Sequence, residues 1–572
     1  MINDKDTPVL IVGGGPVGLT LAIDLGRRGI PCTLLERNEV EGILPKMELS
    51  NARSMEIFGR LGLAAGIRDA GWPAETPMDV WVGPSLVEPP YLVLPYASVR
   101  DEQARLAACE DLSCPREAYH RISQYTLERL LRRQVAATPG VTARFGCRLE
   151  SFVDRGDHVE AMASARDGTA IHLTSTYLVG CDGGGSTVRR ALGIELEGRQ
   201  AVRRSLLIFF RAPALLARTG LPPARHYYLA GRRQATLVTQ DDLAHWALHI
   251  QIADDTDVEG LDPRAELQAA LGLDPEAEIL HVGPWYAHLV AARHYRAGNV
   301  FLAGDSAHQY IPTGGFGMNT GIGDADNLGW KLAACLQGWG GEALLASYDR
   351  ERRPIGRRNR DAAEYAAAGG RHWRERFSPA VLEATAEGQV RRAALVAAID
   401  RGQRRSHEMH GIELGYRYIG SPICADETEL GPDPDSPVYR PTAMAGARLP
   451  HAWLAPGVSV HDRVDPTGMS LLVLASNDPL VEAFEAAARR EGVPLAVVSC
   501  IDARLHTLYG ASALLLRPDL HVAWRGDAVA DPAFLLRRAV GRESAGAGEH
   551  PETSTDQAAA SWTQESRTGR GR

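Results

Sequence analysis

Apolar residues fall into short runs separated by segments in which they recur every three or four positions, the pattern of strands alternating with helices. Residues 8–12 make one such run, residues 19–29 carry helical spacing, and residues 32–35 make a second run that ends in Glu36. Residues 45–63 start as a loop and become helical with Arg53 at the helix start, helical spacing returns at 126–135, and strand-like runs follow at 141–145 and 177–181. Residues 72–118, rich in proline and turn formers, read as an irregular excursion over a surface. From 198 to 294 the period changes to alternation, as at 205–211, 235–238 and 244–251, with one helical stretch at 263–271. A buried-strand run at 299–303 then precedes long helical segments at 320–337 and 341–368. Beyond a Pro- and Asp-rich linker at 422–441, the order strand 470–475, helix 479–491, strand 495–499, strands 513–517 and 521–524, helix 532–540 suggests a thioredoxin-like topology. The predicted class is α/β, a doubly wound sheet with a β-rich insertion and a small C-terminal unit. The predicted domains are 1–197 and 295–425 for the two parts of the doubly wound unit, with the helical segment in the second part. The insertion is 198–294, the C-terminal unit 426–542, and a disordered tail 543–572.

At 572 residues the chain is long enough for two or three cores, and its net charge of −9 carries no basic block of the size needed to neutralise a nucleic-acid backbone. The arginine-rich run 350–360 is interleaved with acids and reads as a solvated helix face. Eight cysteines are scattered without CxxC or zinc spacing, so the C-terminal unit reads as a structural or oligomer-forming appendage rather than a redox centre. No window reaches the length of a membrane span and no leader precedes the first strand, which together predict a cytoplasmic protein.

Three places carry candidate chemistry. Between the first strand and helix stand Gly13, Gly15, Pro16, Val17 and Gly18, a GxGxxG turn, and Glu36 with Arg37 follows the second strand. Bare glycine amides at a helix start receive a pyrophosphate, and an acid at the next strand end accepts from ribose hydroxyls, so this fingerprint predicts an adenine dinucleotide. Asp182 beside Gly183–Gly185 and Gly304–Asp305 beside Gly314, Gly315 and Gly317 repeat the device of an acid and bare backbone at a strand's end. Arg53, at a helix start, is open between a pyrophosphate and a neighbouring carboxylate, and Glu48 reads as a solvated acid. Tyr227, Tyr228, Trp246 and Trp285 are open between an aromatic pocket and ordinary core.

In this order, GGGPVG with Glu36, the segment from Cys181 to Arg189, GDSAH at 304–308, Pro312, GMN at 317–319 and YDRERRP at 348–354 resemble the FAD-dependent aromatic hydroxylases. These are single-component flavoprotein monooxygenases, and the resemblance is to the phenol and chlorophenol hydroxylase branch. It implies a tightly held FAD and a transient NAD(P)H donor, with oxygen from dioxygen transferred through a flavin hydroperoxide to an aromatic ring, phenolic or polycyclic. It also implies that Glu36 holds the adenosine ribose, Arg53 and Gln124 approach the FAD, and Asp305 takes the ribityl chain. Gly317, Met318 and Asn319 would meet the flavin's pyrimidine edge, Asp182 would serve FAD and NAD(P)H handling, and Pro312 would line the reacting face. Glu48 would be a base toward the substrate hydroxyl, with Tyr227, Tyr228 and Trp246 about the ring. Baeyer–Villiger oxidation, epoxidation or oxidative decarboxylation of a polycyclic secondary metabolite on the same fold stays open, as does a catalytically silent FAD-binding protein.

Overall fold

The computed structural model describes residues 2–3, 7–231 and 233–543. The expected disordered tail lies, beyond Glu543, outside the described residues.

A parallel sheet forms the first layer. Its strands Val300–Leu302, Ala170–Gly180, Thr7–Val12, Cys32–Glu36 and Val141–Phe145 lie side by side in that order, all parallel. Val300–Leu302, Thr7–Val12 and Cys32–Glu36 read as nearly unbroken apolar runs because both faces of the sheet are covered there. Val9, Leu10, Ile11, Leu34, Val179 and Phe301 are accordingly buried. The register sets Val12 beside Gly180 and Gly180 beside Leu302, so the three glycine–acid turns foreseen from the sequence leave the sheet at one edge.

The second layer is an eight-stranded sheet running from His308–Gln309 through Glu278–Ala292, Leu196–Arg211, His245–Gln251, Ala235–Thr239 and His226–Leu229 to Val80–Gly83 and Leu92–Leu94. The last two strands come from the stretch expected to be an irregular surface excursion. Val80–Gly83 pairs in parallel with His226–Leu229, and its run of buried apolar residues is too short to separate from loop by periodicity. Helices Phe316–Leu336, Glu342–Arg374 and Ala386–His407 pack around the two sheets. The first begins earlier than expected, capped by Gly315 at φ 71°, so Gly317, Met318 and Asn319 form its opening turn rather than the loop before it. The arginine-rich run is not wholly a solvated face, since Arg352 is fully buried.

The C-terminal unit is a four-stranded sheet, ordered Leu495–Ser499, Met469–Val473, Ala513–Leu516, Val522–Gly526, with one parallel and two antiparallel pairs. It carries helices Asp478–Glu491 and Pro532–Ala539 where expected, and a further helix, Ala503–Tyr509, that the sequence reading did not contain. Cys109 and Cys114, two of the eight scattered cysteines, are joined in a disulfide. Among the described residues no helix is long and apolar enough to cross a membrane.

Candidate active site

At the shared sheet edge the backbone itself shapes a cleft. Gly13 sits at φ 112°, and a β-carbon there would stand 2.2 Å from the Cys181 carbonyl oxygen, so only glycine closes this turn. Gly18 lies against the Gly13 carbonyl, which lets helix Pro16–Arg27 approach the sheet, and Val17 packs against Gly304 and Gly321. Gly15 caps this helix without any side-chain bond, and a β-carbon on it would meet nothing within 4 Å. Its first-turn amides therefore face open space, with Pro16 at the position that needs no donor. Glu36 is held in place by the Gly14 and Asn38 amides, at 2.7 and 2.8 Å, each of its carboxylate oxygens taking one bond. Arg37 beside it is exposed.

Asp305 stands at the third strand's end, deep among surrounding atoms yet open to solvent, and among the described residues its carboxylate has no bonding partner. Burial raises its carboxyl above the usual range, with His308 and Lys46 the nearest opposing charges. Lys46 was not a candidate from the sequence; a lone lysine in a loop carries no signal of its own. The turn bearing Asp305 is fixed from behind by Asp324, fully buried, which accepts from the Gly304 amide at 3.0 Å and lies 2.9 Å from His308 Nε2 and 2.7 Å from Arg352 Nε. Helix Phe316–Leu336 opens toward the same cleft without a side-chain cap, and a β-carbon on Gly317 would meet nothing within 4 Å. Two uncapped helix starts and an unpartnered carboxylate suit a ligand with anionic oxygens, hydroxyls and an electron-rich ring edge.

Other expected cofactor residues have protein partners. Asp182 takes the Ser186 hydroxyl at 2.5 Å and the Thr187 and Val188 amides at 2.7 and 3.1 Å, and so starts the helix Thr187–Ala191. Arg53 is buried, and its Nη2 donates to Asp326 at 2.9 Å and to the Asp519 carbonyl at 3.0 Å. The Gln124 side chain donates to Glu128, 2.6 Å away, while its amide donates to the Met47 carbonyl.

Glu48 is not simply a solvated acid. Leu49–Ser50 pairs with His120–Arg121, and Asn319 fastens that strand to the helix start by donating to the Leu49 and Gly315 carbonyls and accepting from the Asn51 amide. Leu49 in turn packs on Gly315, and the Gly315 amide donates to the carbonyl of exposed Pro312. Glu48 is thus carried within one residue of the Pro312–Asn319 loop. Its Oε1 lies 3.0 Å from His226 Nε2, and its side chain keeps 28% of its surface open. Burial acts to raise its carboxyl, but the His226 bond and the charges of His226, Arg121 and Arg225 outweigh it and push it down to about 2. His226 is itself pushed down to about 4, chiefly by burial, so at neutral pH the imidazole is uncharged and its Nε2–H donates to a Glu48 carboxylate.

Strand parity separates the expected pocket aromatics. His226 and Tyr228 share one face of the second sheet, with their rings 5.6 Å apart. Tyr227 points to the other, where its hydroxyl donates to the Pro222 carbonyl and its ring lies 6.2 Å from Trp246. Trp246 donates to the Ala212 carbonyl, and both residues belong to the apolar cluster behind the sheet, away from Glu48.

Residues 6–363 match the FAD binding domain family and residues 442–543 the aromatic-ring hydroxylase C-terminal family. The FAD-dependent monooxygenase apdD of Emericella nidulans is 32% identical over 576 residues, covering 95% of this chain and 91% of that one. A putative polyketide hydroxylase of Streptomyces halstedii is 33% identical over 558 residues, covering 91% and 93%. The solved structure of the rebeccamycin biosynthetic enzyme RebC with reduced flavin superposes with a TM-score of 0.84 at 34% identity, over 94% of this chain and 99% of that one. With a family match over more than half its length and full-length relatives above 30% identity, the chain belongs to the FAD-dependent aromatic hydroxylases and is a flavoprotein monooxygenase.

Proposed function

We propose that this monooxygenase hydroxylates a phenolic, polycyclic ring and that the Glu48 carboxylate accepts the hydrogen bond of the substrate's hydroxyl. The observation that carries the reading is the Glu48–His226 pair, partly open to solvent and fastened through Leu49 and Asn319 to the start of helix Phe316–Leu336. FAD, reduced by a nicotinamide donor, supplies the oxygen-activating chemistry when bound. Gly15 and its helix start would receive the pyrophosphate, Glu36 the adenosine ribose, Asp305 the ribityl hydroxyls, and the Gly317–Asn319 turn the ring edge. Lys46, whose charge reaches Asp305, would meet a phosphate.

His226 spends its Nε2–H on Glu48 Oε1, which leaves Oε2 as the acceptor toward the chamber. A carboxylate accepting the phenolic O–H draws electron density into the ring, the state in which attack by an electrophilic oxygen is easiest. Pro312 and the turn after it wall the chamber on the cofactor side, with Tyr228 on the sheet side. The C-terminal unit reads as a thioredoxin-like support without a redox pair, and the protein as cytoplasmic.

The test is a panel of mono- and polycyclic phenols, followed by NADH or NADPH oxidation and by product mass under labelled dioxygen. The expected result is substrate-stimulated donor consumption with one labelled oxygen retained as a new hydroxyl. A ring-expanded ester, or donor consumed only to hydrogen peroxide with every phenol, overturns the reading.

A further inference from the structure

Across the second sheet from Glu48 stands a group of cations that no carboxylate answers. On the face that carries His226 and Tyr228, the register places His249 two strands away and Arg203 on the strand beyond, with Trp285 on the strand after that. The Arg203 guanidinium lies over the Trp285 ring at 5.6 Å. Helix Glu342–Arg374 ends over the same face: Arg374 lies 5.5 Å from the Tyr228 ring centre and donates to Thr236 Oγ1 at 3.3 Å. Thr236 is the cross-strand partner of both Tyr228 and His249. Arg371 is one helical turn before Arg374, and its charge reaches Arg203.

Among the described residues none of these three arginines forms an ion pair with a carboxylate. Three buried arginines elsewhere in the molecule do so: Arg352 with Asp324, Arg517 with Glu351, Arg53 with Asp326. Burial holds Arg203 and Arg374 below their usual range, Arg374 at about 10. Two donors in the same corner, Arg203 Nε–H and Trp285 Nε1–H, are buried without an acceptor. Sequestered cations and orphan donors are costly unless something supplies negative oxygens.

We propose that Arg203 and Arg374, with Trp285 beside them and Arg371 at the rim, bind a carboxylate carried by the aromatic substrate. A guanidinium presents the planar fork that fits a carboxylate, and Trp285 and Tyr228 offer flat walls to the attached rings. Three strand spacings separate the strands of His226 and Arg203, which at ~4.8 Å each is roughly 14 Å. A substrate reaching both ends is a fused-ring hydroxy acid rather than a single-ring phenol. This assignment rests on the reading of Glu48 as the site of the substrate's hydroxyl.

The test uses the FAD-loaded full chain and three probes: 6-hydroxy-2-naphthoic acid, its methyl ester, and 2-naphthol. Binding is read from the perturbation of flavin absorbance. The acid is expected to bind at least about 10-fold tighter than the ester, the factor one charge-assisted bond provides. Arg203→Gln and Arg374→Gln should erase that preference while the ester's affinity moves little. Arg203→Lys and Arg374→Lys, which keep charge but not the fork, should retain part of it, and they serve where a Gln variant loses its flavin.

An acid that binds no better than its ester, or not at all, overturns the proposal. So does equal weakening of acid and ester, or a defect confined to the KM of the nicotinamide donor. Turnover separates the two readings. An acid held by the arginines but never hydroxylated leaves the anion site standing and removes the hydroxylation reading. Ester and naphthol hydroxylated as readily as the acid do the reverse.

Discussion

Glu48 keeps a charge inside a cleft because its partners outweigh its burial, and the consequence is a distinctive pH dependence. With its carboxyl pushed down to about 2 and the His226 imidazole down to about 4, neither group changes protonation between about pH 5 and pH 8. Turnover should therefore show no limb from this pair in that window. Glu48→Gln should lower the hydroxylation rate by roughly 10- to 100-fold at every pH there, the worth of one hydrogen bond to a charged group, with flavin content unchanged. Stopped-flow hydroxylation of a good substrate from pH 5 to 8 checks it; a limb near pH 6.5 in the native enzyme that disappears in the variant would contradict the assignment. Tyr227 and Tyr228 show how far a residue can be read from sequence. Both are aromatic positions in one strand, and only the pairing register decides that Tyr228 joins Glu48 and His226 while Tyr227 goes to core. His226 carried no local motif either, and its partner is 178 positions away.

The helix Phe316–Leu336 ties the cofactor cleft to the rest of the fold by a polar group at nearly every turn. Asn319 holds the Glu48 strand, Asp324 the Asp305 turn, Asp326 takes Arg53, and Asn327 and Lys331 reach Glu351 at 2.8 and 2.7 Å. Glu351 also receives Arg517 Nη1 and Ser421 Oγ, both at 2.6 Å, all of it buried. Removing one partner from a buried ionic group leaves the others uncompensated, so Glu351→Gln is expected to destabilise the protein by ~3–5 kcal/mol. Burial acts to raise the Glu351 carboxyl, but Arg517 and Lys331 push it down to about 2. A carboxyl depressed in the folded state stabilises above its unfolded value of about 4.5 and loses that contribution as pH falls toward 2. Urea midpoints of native and variant protein should converge over that acid range; a constant gap from pH 7 to pH 2.5 would show the network to be neutral. The three glycine turns were legible because their geometry is local, set by neighbouring residues and strand ends. This helix was legible at 320–337, but its polar anchors were not, because each finds its partner on another element.

At the scale of the whole molecule, the C-terminal unit is part of what holds the cofactor helix in place. The far end of that helix, Trp330 and Ala334, shares an apolar cluster with Trp339, Leu344 and residues of the C-terminal sheet such as Leu471, Leu515 and Phe484. The Arg517 guanidinium lies 5.3 Å over the Trp330 ring, and the Asp519 carbonyl receives Arg53. Removing residues 442–543 would uncover Trp330, Trp339 and Leu344, and would leave Glu351 and Arg53 with fewer partners. Exposed apolar surface and unpaired buried charge both act against the fold. The truncated chain is therefore expected to lose flavin occupancy and thermal stability together, although no deleted residue lies in the cleft of Gly15, Asp305 and Gly317. The flavin-to-protein absorbance ratio and a thermal melt of the purified chain measure both. Should the truncation aggregate, Arg517→Met in the full chain asks the same question with the unit present, since it breaks the Glu351 and Asp519 contacts and leaves the apolar seat. Full flavin and an unchanged melt in either protein would mean that the C-terminal unit rides on the monooxygenase without supporting its cofactor.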